Sequence, residues 1–243
     1  MKKRLDVLIV ERGLAPTRSR AQALVLAGNV LIDDIPVTKA GQPVAEDAAI
    51  RIRGEVHPYV SRGGVKLAAA LDSFSVCVDG RTALDIGAST GGFTEVLLVR
   101  GAIRVFAVDV GHNQMDWKIR QDPRVAVLEN VNARHLEFRL IGQKVGIIVA
   151  DVSFISLDKI LPAALQFSTT ETDWITLIKP QFEVGKQKVG KGGIVTSEEE
   201  RQKAVERLTD FGKTLGLIRV GLIESPITGT QGNKEFLAHW KQR

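Results

Sequence analysis

Four charged residues of this chain, Lys66, Asp151, Lys179 and Glu235, lie where apolar runs meet turns or helices. Asp151 closes the run Val145–Ala150, and Lys179 closes Trp174–Ile178. Glu235 opens the last apolar run after a glycine-rich loop, and Lys66 opens the helical pattern Leu67–Leu71. One charge at a strand end is usually only solvated. Two ammonium and two carboxyl groups at one sheet edge can do more. They can take a proton from a weakly acidic hydroxyl, steer its oxygen and stabilise the charge that develops on it. A second set of residues could hold a cofactor. In Leu84-Asp85-Ile86-Gly87-Ala88-Ser89-Thr90-Gly91-Gly92-Phe93 an apolar run ends in an acid and a glycine-rich turn. Gly87 can take a positive φ, and Gly91 and Gly92 keep Cβ atoms away from a ligand. Asp109, roughly twenty residues on, can accept both hydroxyls of a ribose. Asn130 or Asn132, after the run Val125–Leu128, can pair with an adenine edge as donor and acceptor together. Three such strand ends in this order imply an adenosine-containing cofactor. The loop lacks the Gly-Lys-Ser/Thr of a P-loop and the third glycine of a dinucleotide fingerprint, which disfavours NAD.

The elements that must present these residues follow from periodicity. Thr82–Asp85, Arg104–Asp109, Val125–Glu129, Val145–Asp151, Trp174–Ile178 and Leu217–Ile223 read as strands, with helices near 92–100, 113–121, 156–165 and 197–215. This alternation predicts a doubly wound, mostly parallel sheet. The final strand, Glu235–Trp240, follows a loop too short for a crossover helix and is expected to pair antiparallel with its predecessor. Pro180 is expected to stop any helix from starting directly after Lys179. The first sixty residues differ. Leu5, Leu8 and Ile9 have helical spacing up to Gly13. Thr17 caps a second helix through Ala27, closed by Gly28. Val30–Ile32, a turn at Asp33-Asp34, Ile35–Val37 and Ile50–Arg53 read as strands. His57-Pro58-Tyr59-Val60 reads as a linker. The organisation expected is a small domain over 1–58, a linker at 59–61 and a larger domain over 62–243.

The chain has 243 residues, 44% of them hydrophobic, enough for one α/β core and a small appended domain. The single Cys77 excludes an intrachain disulfide and a multi-cysteine zinc site, and no metal is expected. With neither a membrane-length apolar run nor a signal-peptide core, the chain reads as a soluble cytoplasmic protein. The net charge of +5 suits a polyanionic partner. Lys2, Lys3, Arg4, Arg12, Arg18 and Arg20 crowd the first twenty residues against Asp6 and Glu11. Lys179, Lys186, Lys188 and Lys191 surround a glycine-rich loop.

Residues 1–58 resemble the S4 RNA-binding domain, in which paired helices present basic side chains to structured RNA. The resemblance implies RNA-facing roles for Arg4, Arg18, Arg20 and Lys39. The Asp85–Phe93 motif resembles the first motif of class I S-adenosylmethionine (SAM) methyltransferases, over about residues 62–240. This implies that Asp85, Gly87, Ser89, Gly91, Gly92, Phe93, Asp109, Asn130 and Asn132 hold SAM. The order Lys66-Asp151-Lys179-Glu235 resembles the tetrad of FtsJ-like ribose 2′-O-methyltransferases. Lys179 would be the base when neutral, or the group stabilising the oxygen when charged. Asp151 would orient it, and Lys66 with Glu235 would fix the second lysine and the ribose. The S4 module in front, with Ser61–Leu67, Ala150–Ser156 and Leu177–Glu183, makes the chain similar to the TlyA family. The family methylates a cytidine 2′-oxygen in ribosomal RNA, free or within a subunit. Because the chain begins near its first helix and stops soon after Trp240, the large-subunit type is expected. Many members carry an Arg and a Trp in the linker where this chain has His57 and Tyr59. Three rival readings remain. An amine-directed base methyltransferase would want Asn/Asp-Pro-Pro-aromatic where Asp151-Val-Ser-Phe154 stands. A non-catalytic S4 adaptor would not need four charges. A membrane-active haemolysin, the family's older label, would need a spanning or lytic segment.

Overall fold

The computed structural model describes residues 2–15, 17–26, 28–52, 58–229 and 232–243, and the chain divides into two compact units, 1–58 and 59–243. The small unit contains β1 (Lys2–Arg4), α1 (Leu5–Glu11), α2 (Arg18–Leu26), β2 (Val30–Ile32), β3 (Ile35–Val37), β4 (Pro43–Ala45) and β5 (Ile50–Ile52). Thr17 Oγ1 accepts the Arg20 N–H at 3.2 Å, the expected cap of α2. Asp33 and Asp34 take φ of 50° and 63°. A two-residue hairpin turn whose twist matches its strands needs positive φ at both central positions. β2 pairs antiparallel with β3 and β5. Leu5, Leu8, Ile9, Val25 and Val30 form the core beneath. Two elements have no counterpart in the sequence pattern: β1 and β4 pair antiparallel over three residues each, too short for alternation to show. Ala27, Arg53 and His57, assigned above to a helix, a strand and the linker, lie outside the described residues.

The large unit contains α3 (Gly63–Ser73), β6 (Thr82–Ile86), α4 (Gly92–Val99), β7 (Arg104–Val108), α5 (Trp117–Arg120), β8 (Val125–Leu128), β9 (Ile147–Ala150), α6 (Leu161–Ala164), β10 (Asp173–Ile178), α7 (Pro180–Glu183), α8 (Glu198–Thr214), β11 (Leu217–Glu224) and β12 (Phe236–Gln242). Its seven-stranded sheet has the order β11-β12-β10-β9-β6-β7-β8. The five strands β8, β7, β6, β9 and β10 are parallel. β12 runs antiparallel to β11, as expected, and inserts antiparallel to β10 on its other side. Every residue of β9 and β10 is buried, as strands covered on both faces require. Successive residues feed opposite layers: Ile148 and Trp174 join Leu84 and Trp240 on one face, while Ile147 and Ile175 join Leu67 and Leu97 on the other.

Several boundaries differ from expectation. Lys66 is the fourth residue of α3 rather than its start, and Glu235 precedes β12 by one residue. The helix expected over 113–121 shrinks to the single turn α5. That over 156–165 becomes two 3₁₀ turns around the short α6. Pro180 begins α7 instead of delaying it. Proline lacks only an N–H that a first helical residue has no use for, and its fixed φ suits that position. The strand order reverses at β6, with β7 and β8 added on one side and β9 and β10 on the other. A crevice therefore opens beyond the carboxyl ends of these strands, where ligands of open α/β sheets bind.

Candidate active site

The crevice holds two joined spaces. The larger, of about 590 Å³, is lined by Gly87, Ser89, Asp109, Val110, Asn132 and Phe154 among others. The smaller, of about 270 Å³, is lined by Ser61, Arg62, Gly92, Phe93 and all four residues Lys66, Asp151, Lys179 and Glu235. Gly87, Ser89, Asp151 and Ser153 border both.

Around the larger space the loop after β6 does two jobs. Its Gly87 has φ +84°, and a Cβ there would run into the Asp151 carbonyl, so only glycine lets β6 and the turn after β9 close up. Gly91, at φ +91°, packs against Ile119 of α5, and a Cβ on Gly92 would strike Ser61 Oγ. These two glycines therefore serve contacts within the protein as well as the approach of a ligand. Asp109 Oδ2 accepts the Ser89 N–H at 2.8 Å, and Oδ1 accepts the Gly111 N–H at 2.6 Å. Both bonds aim the carboxylate while leaving lone pairs for hydroxyl donors. Asn132 caps a 3₁₀ turn by accepting the Arg134 N–H at 3.1 Å, and its side chain still borders the cleft. Asn130, with φ 58°, is a turn residue that lines neither space. Asp85 lines neither space either. It is fully buried beneath the loop, where Thr94 Oγ1 donates to Oδ2 at 2.6 Å and Oδ1 has no hydrogen-bond partner among the described residues. Burial pushes its carboxyl up to about 7 and the charges of Asp151 and Asp109 add to this, against the Thr94 bond.

In the smaller space the four charges form two ion pairs. Lys66 Nζ lies 2.5 Å from Glu235 Oε2, with both side chains at least nine-tenths buried. Lys179 Nζ lies 2.6 Å from Asp151 Oδ1 and donates to Ser153 Oγ at 2.8 Å. Gln181 Nε2 approaches Glu235 Oε1 at 3.4 Å. Strand geometry explains the gathering. Asp151 and Lys179 are the first residues past the adjacent parallel strands β9 and β10, and antiparallel β12 brings its starting end to that same edge.

Ser153, Gln181 and Phe154 lie in stretches cited from the sequence, which gave them no role in the site. Ser153 follows Asp151 by two in the same strand-end loop, so the strand-end rule could have included it. Phe154 is 92% exposed and holds φ +64°. A bulky side chain in the left-handed region is rare and collects at functional sites.

In the small unit Asp6 is fully buried, and it accepts from Arg4 Nη2 at 3.0 Å, Gln22 Nε2 at 2.8 Å and Arg18 Nε at 2.9 Å. The Arg4 bonds, with those of Gln22 and Arg18, hold its carboxyl far below the usual range against the effect of burial. Asp6 thereby fixes the two half-exposed guanidinium groups side by side. Arg20 is half-buried and Lys39 exposed.

The FtsJ-like methyltransferase profile matches residues 59–242 and the S4 domain profile residues 3–50. The 16S/23S rRNA (cytidine-2'-O)-methyltransferase TlyA of Mycobacterium tuberculosis is 46% identical over 96% of this chain and 87% of its own. The 23S rRNA (cytidine-2'-O)-methyltransferase TlyA of Campylobacter jejuni is 36% identical over 75% of this chain and 70% of its own. A solved structure named as a hemolysin, from Streptococcus thermophilus, is 42% identical with a TM-score of 0.77, covering 99% of this chain and 88% of that one. Among the described residues, no helix is long and apolar enough to cross a membrane. Two profiles in series, and close identity across both, mean that this chain belongs to the TlyA family of FtsJ-like methyltransferases with an N-terminal S4 domain.

Proposed function

We propose that the protein transfers a methyl group from SAM to the ribose 2′-hydroxyl of a cytidine in ribosomal RNA. The observation that carries this reading is the joining of a cleft with a ribose-type carboxylate to a cavity holding two lysine–carboxylate pairs. The residues present fit the cofactor. Asp109 would take its ribose hydroxyls, Asn132 with Val110 and Val131 its base, and the Gly87–Ser89 backbone the rest. Bound there, SAM supplies an electrophilic methyl group on a positively charged sulfur.

The remaining chemistry belongs to this chain's side chains. The Lys179 ammonium, ion-paired with Asp151 and donating to Ser153 Oγ, keeps N–H capacity to direct at the acceptor oxygen. It orients that oxygen and stabilises negative charge forming on it. The hydroxyl proton leaves to the Asp151 carboxylate, the member of the pair able to accept it while Lys179 stays an ammonium; its Oδ1 lies 2.6 Å from Nζ. The Lys66–Glu235 pair lines the same cavity and holds the ribose. Arg4, Arg18, Arg20 and Lys39 attract RNA phosphates. Large-subunit RNA is the substrate proposed, being common to the names of both relatives above, and cytoplasm the location. The experiment is transfer of labelled methyl from SAM to separated ribosomal subunits, followed by mapping. Label on a cytidine ribose of large-subunit RNA is expected. No label on either subunit, or label confined to a base, would defeat the reading.

A further inference from the structure

Helix α7 is a single turn between Lys179 and Glu183, yet nearly every side chain on it engages one of the two ion pairs or the loop after β9. Lys179 holds Asp151 and Ser153. Gln181 reaches Glu235. The Phe182 ring meets Phe154 with centroids 5.2 Å apart. Glu183, 8% exposed, accepts from Ser156 Oγ at 2.5 Å and from the Leu157 N–H at 2.9 Å. The contacts run in register: 151 and 153 on 179, 154 on 182, 156 and 157 on 183. The two catalytic loops are zipped together along α7. Arg207 of α8 closes the far end, bonding Glu183, and bonding Asp158 Oδ2 at 2.7 Å and Ser156 Oγ at 3.1 Å. A carboxylate buried this deeply is costly unless its bonds are good, and these are charge-assisted.

Resting on the ribose-methylation reading above, we propose that Glu183 is a positioning residue for the reaction. It touches neither cavity. It acts through α7, fixing where Lys179 Nζ stands relative to Asp151 and Ser153. A shift of about an ångström in a reacting group can cost on the order of a hundredfold in rate without weakening binding.

The test uses Glu183→Asp, which keeps the charge but draws the carboxylate back by one methylene, and Glu183→Gln, which keeps the shape. The full-length variants are compared with wild type by single-turnover methyl transfer, calorimetric SAM binding and the RNA concentration dependence of the rate. Expected is a fall of about tenfold or more in the maximal rate for Glu183→Asp, with SAM dissociation constant and RNA half-saturation within about threefold. Combining Glu183→Gln with Ser153→Ala should lose little more than the worse single variant, because both act on the Lys179 ammonium. A rate for Glu183→Asp within about twofold of wild type would overturn the proposal. So would a loss confined to SAM or RNA affinity, or fully multiplicative losses in the double variant. An inactive wild type would instead defeat the ribose-methylation reading itself, whereas an active wild type with unaffected variants defeats only the role of Glu183.

Discussion

Lys179 is the side chain whose loss should separate binding from chemistry. It lies at the wall of the small cavity, outside the cleft assigned to the cofactor. Lys179→Ala is therefore expected to reduce methyl transfer by roughly a thousandfold or more. SAM affinity by calorimetry should stay near wild type, and substantial residual turnover would remove Lys179 from its role. Asp109→Ala should do the reverse at the first step, raising the SAM dissociation constant by about tenfold or more, since it deletes the acceptor of two ribose hydroxyls. Asp85 makes a prediction about pH. Its carboxyl titrates near 7 when folded against 3.8 as the ordinary value. Between these two values the folded chain keeps a proton that the unfolded chain has lost. Stability therefore declines as pH rises through that window and levels off above it. Asp85→Asn removes this penalty. It should stabilise the protein by up to ~4 kcal/mol at pH 8 and by little near pH 4, as measured by urea unfolding. Equal effects at both pH values would mean that Asp85 does not hold its proton in the fold.

At the scale of elements, the turn after β6 is where backbone form and site coincide. Gly87→Ala should destabilise the large unit by about 1–3 kcal/mol, because the new Cβ meets both a left-handed φ and the Asp151 carbonyl. An unchanged thermal midpoint would argue against this packing. The same turn shows what a sequence exposes and what it hides. The parallel strands were legible because burial on both faces produces unbroken apolar runs, and their ends lay within a few residues of those observed. Asp109, Asp151 and Lys179 were legible as charges terminating such runs. Helices 113–121 and 156–165 misled because their apolar residues have helical spacing, while Asp116 is non-helical and caps a helix that begins only at Trp117, and Pro162 has no N–H to continue the ladder back to Asp158. Pro180 was read as a barrier although its ring is compatible with a first helical residue. Ser153 and Glu183 were missed for another reason. Each works on a partner more than twenty residues away in sequence, across two loops that only the β9–β10 pairing brings together.

The whole molecule couples an RNA-type basic unit to a methyl-transfer unit within one chain. Its first unit should supply most of the sequence-independent affinity. Arg18→Ala combined with Arg20→Ala is expected to weaken binding to ribosomal RNA and lower the slope of log affinity against log salt by about 1–2. Unchanged affinity and slope would take this face out of the interaction. In the second unit the order of synthesis has a consequence. β12, which follows β11 in the chain, does not join the sheet at its border but fills a slot between β10 and β11. A nascent chain that has emerged only as far as β11 leaves the edge of β10 unpaired and lacks Glu235. Closure of that slot completes the sheet and brings Glu235 to the edge where Asp151 and Lys179 already stand, so filling the sheet and gathering the four charges are one folding event.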